Sequence, residues 1–196
     1  SIEYDSTNNR LVVGSLSTGR VLGFSLPLTN GVLSLSDAYV YFEGGTRGAA
    51  PSAFATAGLQ VDPQDPCLLY AAVGAYPAYT GPGTQIGVAT IDLCLGDPRA
   101  PKYMTDLTSL AKAGGSMCND IAVPEWGNGD LYVTDYLGSQ LIRVVGQNTD
   151  SPTYEVLIAS CPGCNGIEWI AGGMLIISQL GAGQLVKYAP SSTTTS

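Results

Sequence analysis

The chain of 196 residues is long enough for one domain with a sizeable core, and its composition, 45% hydrophobic against 12% charged, argues against a disordered chain. A net charge of -8 with only 8 scattered Lys and Arg residues offers no basic patch, so the expected partners include no nucleic acid and no membrane. Histidine is absent, which excludes Ser-His-Asp and Cys-His catalysis and His-based zinc or copper sites; acid and base work falls to carboxylates, Tyr or Lys, and any metal to oxygen donors.

In chain order the predicted elements are short strands separated by turns. Ile2 to Asp5 reads as an inner strand, Ser6 to Asn9 as a turn in which Asn8 and Asn9 suit left-handed backbone, and Arg10 to Gly14 and Arg20 to Phe24 as two further strands. Leu26 to Phe42 is expected to supply an outer strand, and the Gly/Ala-rich stretch Glu43 to Ala57 a surface loop. GLQVD from Gly58, CLLYAAV from Cys67 and QIGVATIDL from Gln85 form a looser unit. It is interrupted by the insertion Gly74 to Thr84, where Tyr76 and Tyr79 cluster with turn formers. Such a loop is either a solvent-exposed excursion or a cover over a channel mouth. Cys67 opens one strand and Cys94 closes another, which allows a disulfide across that hairpin.

Tyr103 to Ala113 is expected to form a short helix, capped by Thr105 or Asp106, with Leu107, Leu110 and Ala111 on one face. The clearest unit follows, Asn119 to Val144: an Asn-Asp pair, an apolar strand, a turn rich in Pro, Gly and Asn, and two alternating runs. Residues 191–196 resemble the start of a Ser/Thr-rich linker.

This unit recurs without gaps. RLVVGSLSTGRVLGF from Arg10, DLYVTDYLGSQLIRV from Asp130 and MLIISQLGAGQLVKY from Met174 align over 15 positions, each with a glycine in the central turn. Upstream anchors accompany them: IEYD at Ile2, NDIAV at Asn119 and NGIEW at Asn165. A spacing of roughly 45 to 60 residues between anchors, in three- or four-stranded all-β units, selects a β-propeller of antiparallel meander blades. One propeller domain is expected over residues 1–190, with blades near 1–45, 58–96, 119–158 and 165–189.

Asn119 and Asn165 each open an inner strand, follow a cysteine and precede a small or acidic residue, Asp120 or Gly166. Equivalent positions in neighbouring blades point to the same end of a channel, so the two amide oxygens could converge on Ca2+ or another divalent cation, though such an ion needs about six to eight oxygens. The alternative is that each Asn makes an Asx turn that starts its strand. Asp120 is the candidate base or further ligand.

The remaining cysteines leave three readings. CPGC at Cys161 to Cys164 lacks the βαβ context of a redox motif, and a zinc site lacks a fourth ligand beside Cys118. A disulfide from Cys118 to Cys161 or Cys164, stapling adjacent blades, is the expected arrangement, with one cysteine left over. No apolar run is long enough for a membrane helix. Beginning at Ser1 without a signal peptide, the chain reads as a mature or trimmed product, and its cysteines and acidity are compatible with secretion.

The runs IEYDSTNNRLVVGSL, GLQVD, NDIAVPEWGNGDLYVTDY and NGIEWIAGGMLIIS resemble successive blades of the senescence marker protein, gluconolactonase and luciferin-regenerating enzyme family, in particular its fungal-type, secreted-looking members. The resemblance implies a six-bladed ring, one divalent metal in the channel and hydrolysis of lactones or related esters. Of the ligands it implies, the Asn residues opening the third and fourth inner strands correspond to Asn119 and Asn165. A Glu ahead of the first strand would fall before Ser1, Glu3 standing in a different register, and an Asp would belong to a fifth blade. Four blades of such a ring leave two sheet faces uncovered, so the expectation is a fragment or nicked product, a second chain that completes the ring, or a closed four-bladed variant. Two functions follow: a metal-dependent hydrolase of a small-molecule lactone or ester, or a non-catalytic secreted propeller that binds or supports.

Overall fold

A computed structural model of the chain describes residues 1–27, 34–44, 54–75, 85–94 and 100–190. They form fifteen strands in four sheets. The first sheet holds β1 (Ile2–Asp5), β2 (Arg10–Gly14), β3 (Val21–Ser25) and β4 (Tyr39–Phe42). The second holds β5 (Phe54–Val61), β6 (Leu68–Ala75), β7 (Ile86–Asp92) and β8 (Tyr103–Asp106). The third holds β9 (Cys118–Ala122), β10 (Leu131–Asp135), β11 (Gln140–Val145) and β12 (Thr153–Ile158), and the fourth β13 (Cys164–Ile170), β14 (Met174–Gln179) and β15 (Gln184–Tyr188). Every sheet is an antiparallel meander in sequence order, and the four stack as propeller blades.

The repeat seen in the sequence is a repeat of register. Gly14 pairs with Val21, Thr134 with Leu141 and Ser178 with Leu185, so the three aligned hairpins superpose residue for residue. Their turns share one left-handed residue at the same place, Gly19, Ser139 and Gly183. Asn9 also takes left-handed backbone, at φ 49.

Three hydrophobic clusters lie between consecutive sheets. Val12, Val21 and Tyr41 meet Leu59, Leu69 and Ala89; Tyr70, Ile86 and Val88 meet Ile121, Leu131 and Ile142; Tyr132 and Leu141 meet Ile167, Leu175 and Ile177. The inner sheets are therefore covered on both faces, which is why β6 reads as an unbroken apolar run and β6 and β7 are buried throughout. In the end sheets burial alternates or fades, as in β14 and β15. A buried polar clasp joins the second and third blades: Gln147 accepts from the Thr105 hydroxyl and donates to the Val88 carbonyl and Thr90 Oγ1.

Three expectations are corrected. Tyr103 to Ala113 is not a helix: Tyr103–Asp106 is strand β8 and Thr108–Leu110 a single 3-10 turn. The open edge of β7 takes this segment as its partner, Thr90 opposite Tyr103 through Gly87 opposite Asp106. The Asp106 carboxylate then accepts the Thr108 N–H at 2.8 Å, and Leu107 is buried in the core. The stretch Glu43 to Ala57 is not all loop, because β5 begins at Phe54. Cys118 does not pair with Cys161 or Cys164. It faces the second blade, whereas Cys161 and Cys164 pack between the third and fourth, so they lie on opposite sides of one sheet. The Pro-Gly turn brings Cys161 and Cys164 to a Cα separation of 5.4 Å and they bond to each other, leaving Cys118 a buried free thiol. The Cys67–Cys94 disulfide across the β6–β7 hairpin is present. The Tyr-rich insertion lies outside the described residues except for Gly74 and Ala75, which end β6.

Candidate functional site

The first strand of each blade packs against the first strand of the next, β1 on β5, β5 on β9 and β9 on β13. Three of these inner strands carry an extra residue at the same place. The ladder slips between Thr56 and Leu59, at Asn119 between Cys118 and Asp120, and between Cys164 and Ile167. Such bulges re-aim side chains and interrupt pairing. The residues left out of the ladder are Ala57 and Gly58, Asn119, and Asn165 and Gly166, so the two asparagines occupy equivalent bulges of adjacent strands.

Asn119 and Asp120 line a cavity of about 290 Å³ together with Ser1, Leu16, Ala57 and Gly58. Asn165 stands on the neighbouring strand. Its carbonyl accepts from the Thr134 hydroxyl, whose oxygen also accepts the Asp120 N–H at 3.1 Å. Thr134 is fully buried and so fixes the start of β13 against β9; nothing in its position within β10 marks that role beforehand. Among the described residues neither asparagine side chain makes a hydrogen bond, so the Asx-turn alternative is not what forms. Gly58 is required for the close approach: a Cβ there would lie 2.5 Å from the Asp120 Cα and 2.8 Å from the Asn119 carbonyl oxygen.

Asp120 reaches the fourth blade, where Oδ2 accepts the Ile167 N–H at 3.1 Å. Burial pushes its carboxyl above the ordinary range, the Ile167 and Ile121 N–H groups oppose that, and the charge of Glu168 adds to it. Glu3 on β1 is raised as well, first by burial, against the Tyr4 N–H and with the charges of Glu168 and Asp120. Burial is thus the first cause at both Glu3 and Asp120, and the charge of Glu168 adds to it at each. Glu3 stands in the register of Glu168, each one residue beyond the aligned anchors Ile2 and Ile167, and that repeat was the signal for its placement.

The donors are oxygens only, which fits a hard divalent cation in kind. In number they fall short of a cage: among the described residues no three Asp, Glu or Cys side chains stand close enough to hold a metal together.

No family model matches the sequence, and no characterised protein matches it by sequence. Solved structures do match in fold. The major allergen Mala s 1 of Malassezia sympodialis is similar at a TM-score of 0.70 and 16% identity, over 97% of this chain and 60% of that one. The β-propeller domain of Cps50 (Swd1) from Myceliophteria thermophila is similar at 0.59 and 15%, over 97% and 53%. The PQQ-bound aldose sugar dehydrogenase of Streptomyces coelicolor is similar at 0.56 and 15%, over 91% and 57%. The chain is a β-propeller, and it spans about three fifths or less of the length of these three structures. Its two disulfides belong to a non-cytosolic, oxidising setting, and among the described residues no helix is long and apolar enough to cross a membrane.

Proposed function

We propose that the protein is a secreted propeller hydrolase of lactones or related esters, in which Asn119 and Asn165 help to hold Ca2+ or another divalent cation and Asp120 acts as base. The observation that supports this reading is the pair of equivalent bulges in the adjacent strands β9 and β13, which carry Asn119 and Asn165, beside an Asp120 carboxyl that burial raises above its ordinary range. A base works best when its pKa approaches the working pH. The chemistry a divalent ion supplies when bound is polarisation of the substrate carbonyl and acidification of a water. Asp120 keeps Oδ2 on the Ile167 N–H, which fixes the carboxylate beside Gly58 on the wall of the cavity, where it would take the proton of an attacking water. The resemblance of the Asn119 and Asn165 segments to the gluconolactonase-type family supports the substrate class.

The test is a calcium titration of the natural full-length protein followed by melting temperature, with a lactone hydrolysis assay alongside. Calcium should raise the melting temperature, by a free energy that grows as RT ln(1 + [L]/Kd). Asn119→Ala and Asn165→Ala should lose that shift, and Asp120→Asn should lose turnover. Absence of both shift and hydrolysis favours a second reading, a non-catalytic binding propeller. That reading draws on the hydrogen bond that already ties Asp120 to Ile167 and on the lack of a preformed cage among the described residues.

A further inference from the structure

The two bulged asparagines stand in unlike chemical settings. Asn119 is followed by Asp120, whose side chain crowds its own main-chain nitrogen and whose N–H donates to Thr134 Oγ1 at 3.1 Å. Asn165 is followed by Gly166, which has no Cβ and no place in the ladder. The Thr134 hydroxyl donates to the Asn165 carbonyl, which belongs to the same peptide unit as the Gly166 nitrogen. A donor placed there stabilises negative charge on that unit, and so makes the Gly166 N–H more acidic. Asn165 is half-buried and its side chain makes no hydrogen bond among the described residues, so its amide carbon is open to attack and within reach of water. One hydroxyl thus engages the nitrogen at the first bulge and activates it at the second. A further Asn-Gly step among the described residues, Asn128–Gly129 in the β9–β10 turn, is built differently. Asn128 takes left-handed backbone at φ 66, which turns the next nitrogen away from its own side chain, whereas Asn165 is not left-handed. Gly129 is buried and hemmed in by main chain: a Cβ there would lie 2.8 Å from the Asn148 nitrogen and 2.9 Å from that of Gln147.

We infer that Asn165–Gly166 is a self-modification site, at which the folded chain converts its own asparagine to aspartate and isoaspartate. The Gly166 nitrogen attacks the Asn165 Cγ and forms the N–Cγ bond of a cyclic imide. The Cγ–Nδ2 bond breaks, and the amide group leaves as ammonia with the proton that Gly166 gave up. Water then adds to one or the other imide carbonyl and reopens the ring, giving aspartate where the original main chain is restored and isoaspartate where it runs through the former side chain. Water is consumed and ammonia released, with no oxidation or reduction. The product carries a carboxylate at 165 near that of Asp120, which already accepts the Ile167 N–H. The effect of that added charge on a bound cation rests on the hydrolase reading; the reaction itself needs neither metal nor substrate.

The experiment incubates the natural full-length protein at neutral pH and follows each asparagine-containing peptide by mass and by isoaspartate content. Asn165 should convert at least about tenfold faster than Asn128 in the native state, and at a similar rate in urea, where neither bulge nor turn persists. Gly166→Ala should slow conversion of Asn165 about tenfold, because a methyl group then crowds the attacking nitrogen. That variant fits the fold, since a Cβ at 166 meets only side-chain atoms, Ser178 Oγ at 3.3 Å and Asp120 Oδ2 at 3.7 Å. Thr134→Val keeps the shape of the side chain, removes the donor and should slow conversion severalfold. An intact Asn165 beside a converted Asn128 would overturn the inference, as would the same preference for Asn165 in urea as in the native state. Conversion at the parent rate in Gly166→Ala, or in a folded Thr134→Val, would overturn it too.

Discussion

Asp5, Asp62, Asp120 and Asp135 are all buried or half-buried and differ in what surrounds them. Asp5, Asp62 and Asp135 each accept main-chain N–H groups of a following turn: Asn8 on Asp5, Gln64 and Asp65 on Asp62, Gly138 on Asp135. Tyr41 and Tyr70 hydroxyls and the Gln140 amide complete those sites. These carboxylates stabilise turns. Asp120 has a single inter-blade N–H partner, and its burial and the Glu168 charge outweigh the stabilising contacts. Its folded-state pKa lies above the ordinary value of 3.8, so the folded chain holds a proton that the unfolded chain has released. Stability is therefore lost as pH rises from the ordinary value through the raised one, and the loss is complete above it. Asp120→Asn should flatten that part of the profile, read as urea midpoints between about pH 3 and 7, while Glu3 leaves a residual slope. A variant profile parallel to the parent's would show that Asp120 carries no such penalty.

At the scale of elements, the inner strands are held closer than side chains ordinarily permit. β5 meets β9 at Gly58, where a Cβ would meet the Asp120 Cα and the Asn119 carbonyl, both main-chain atoms that cannot rotate away. Gly58→Ala should therefore destabilise the chain by about 1–3 kcal/mol, the usual cost of overpacking, measured by chemical denaturation. It should also weaken any calcium-dependent shift in melting temperature, because the bulge that presents Asn119 is what must move. A variant as stable as the parent would mean that the two strands slide apart freely and that the site is not held rigidly. The β8 segment makes a related point about element choice: Thr105 was compatible with a helix cap and Leu107 with a helical face, but an unpaired β7 edge and a buried partner for Gln147 decided for a strand.

For the molecule as a whole, equal sequence positions carry unequal energies because blades at the ends of the arc have one neighbour only. In the chain of residues 1–196, Leu141→Ala should cost about 2–5 kcal/mol, as for a buried leucine left with a cavity. Leu185→Ala, at the same place in the next blade, should stay within about 0.5 kcal/mol. Urea unfolding of the two variants checks the contrast. Equal costs would mean that Leu185 is covered by something within this chain.

Much of the architecture was legible in the amino-acid sequence. The ungapped match of Arg10, Asp130 and Met174 segments predicts the shared hairpin register, because one-residue slips would turn every apolar side chain to the wrong face. The anchors at Ile2, Asn119 and Asn165 likewise locate the inner strands, and the spacing of Cys67 and Cys94 allows their disulfide. Tertiary structure alone decided the rest. Which face of β9 carries Cys118 determined its separation from Cys161 and Cys164, and a bulge, invisible to a two-residue period, determined where Asn119, Asp120 and Asn165 stand. Whether Ile2 and Leu185 are core or surface depends on the blade beside them, and that is a property of the stack and not of the residue.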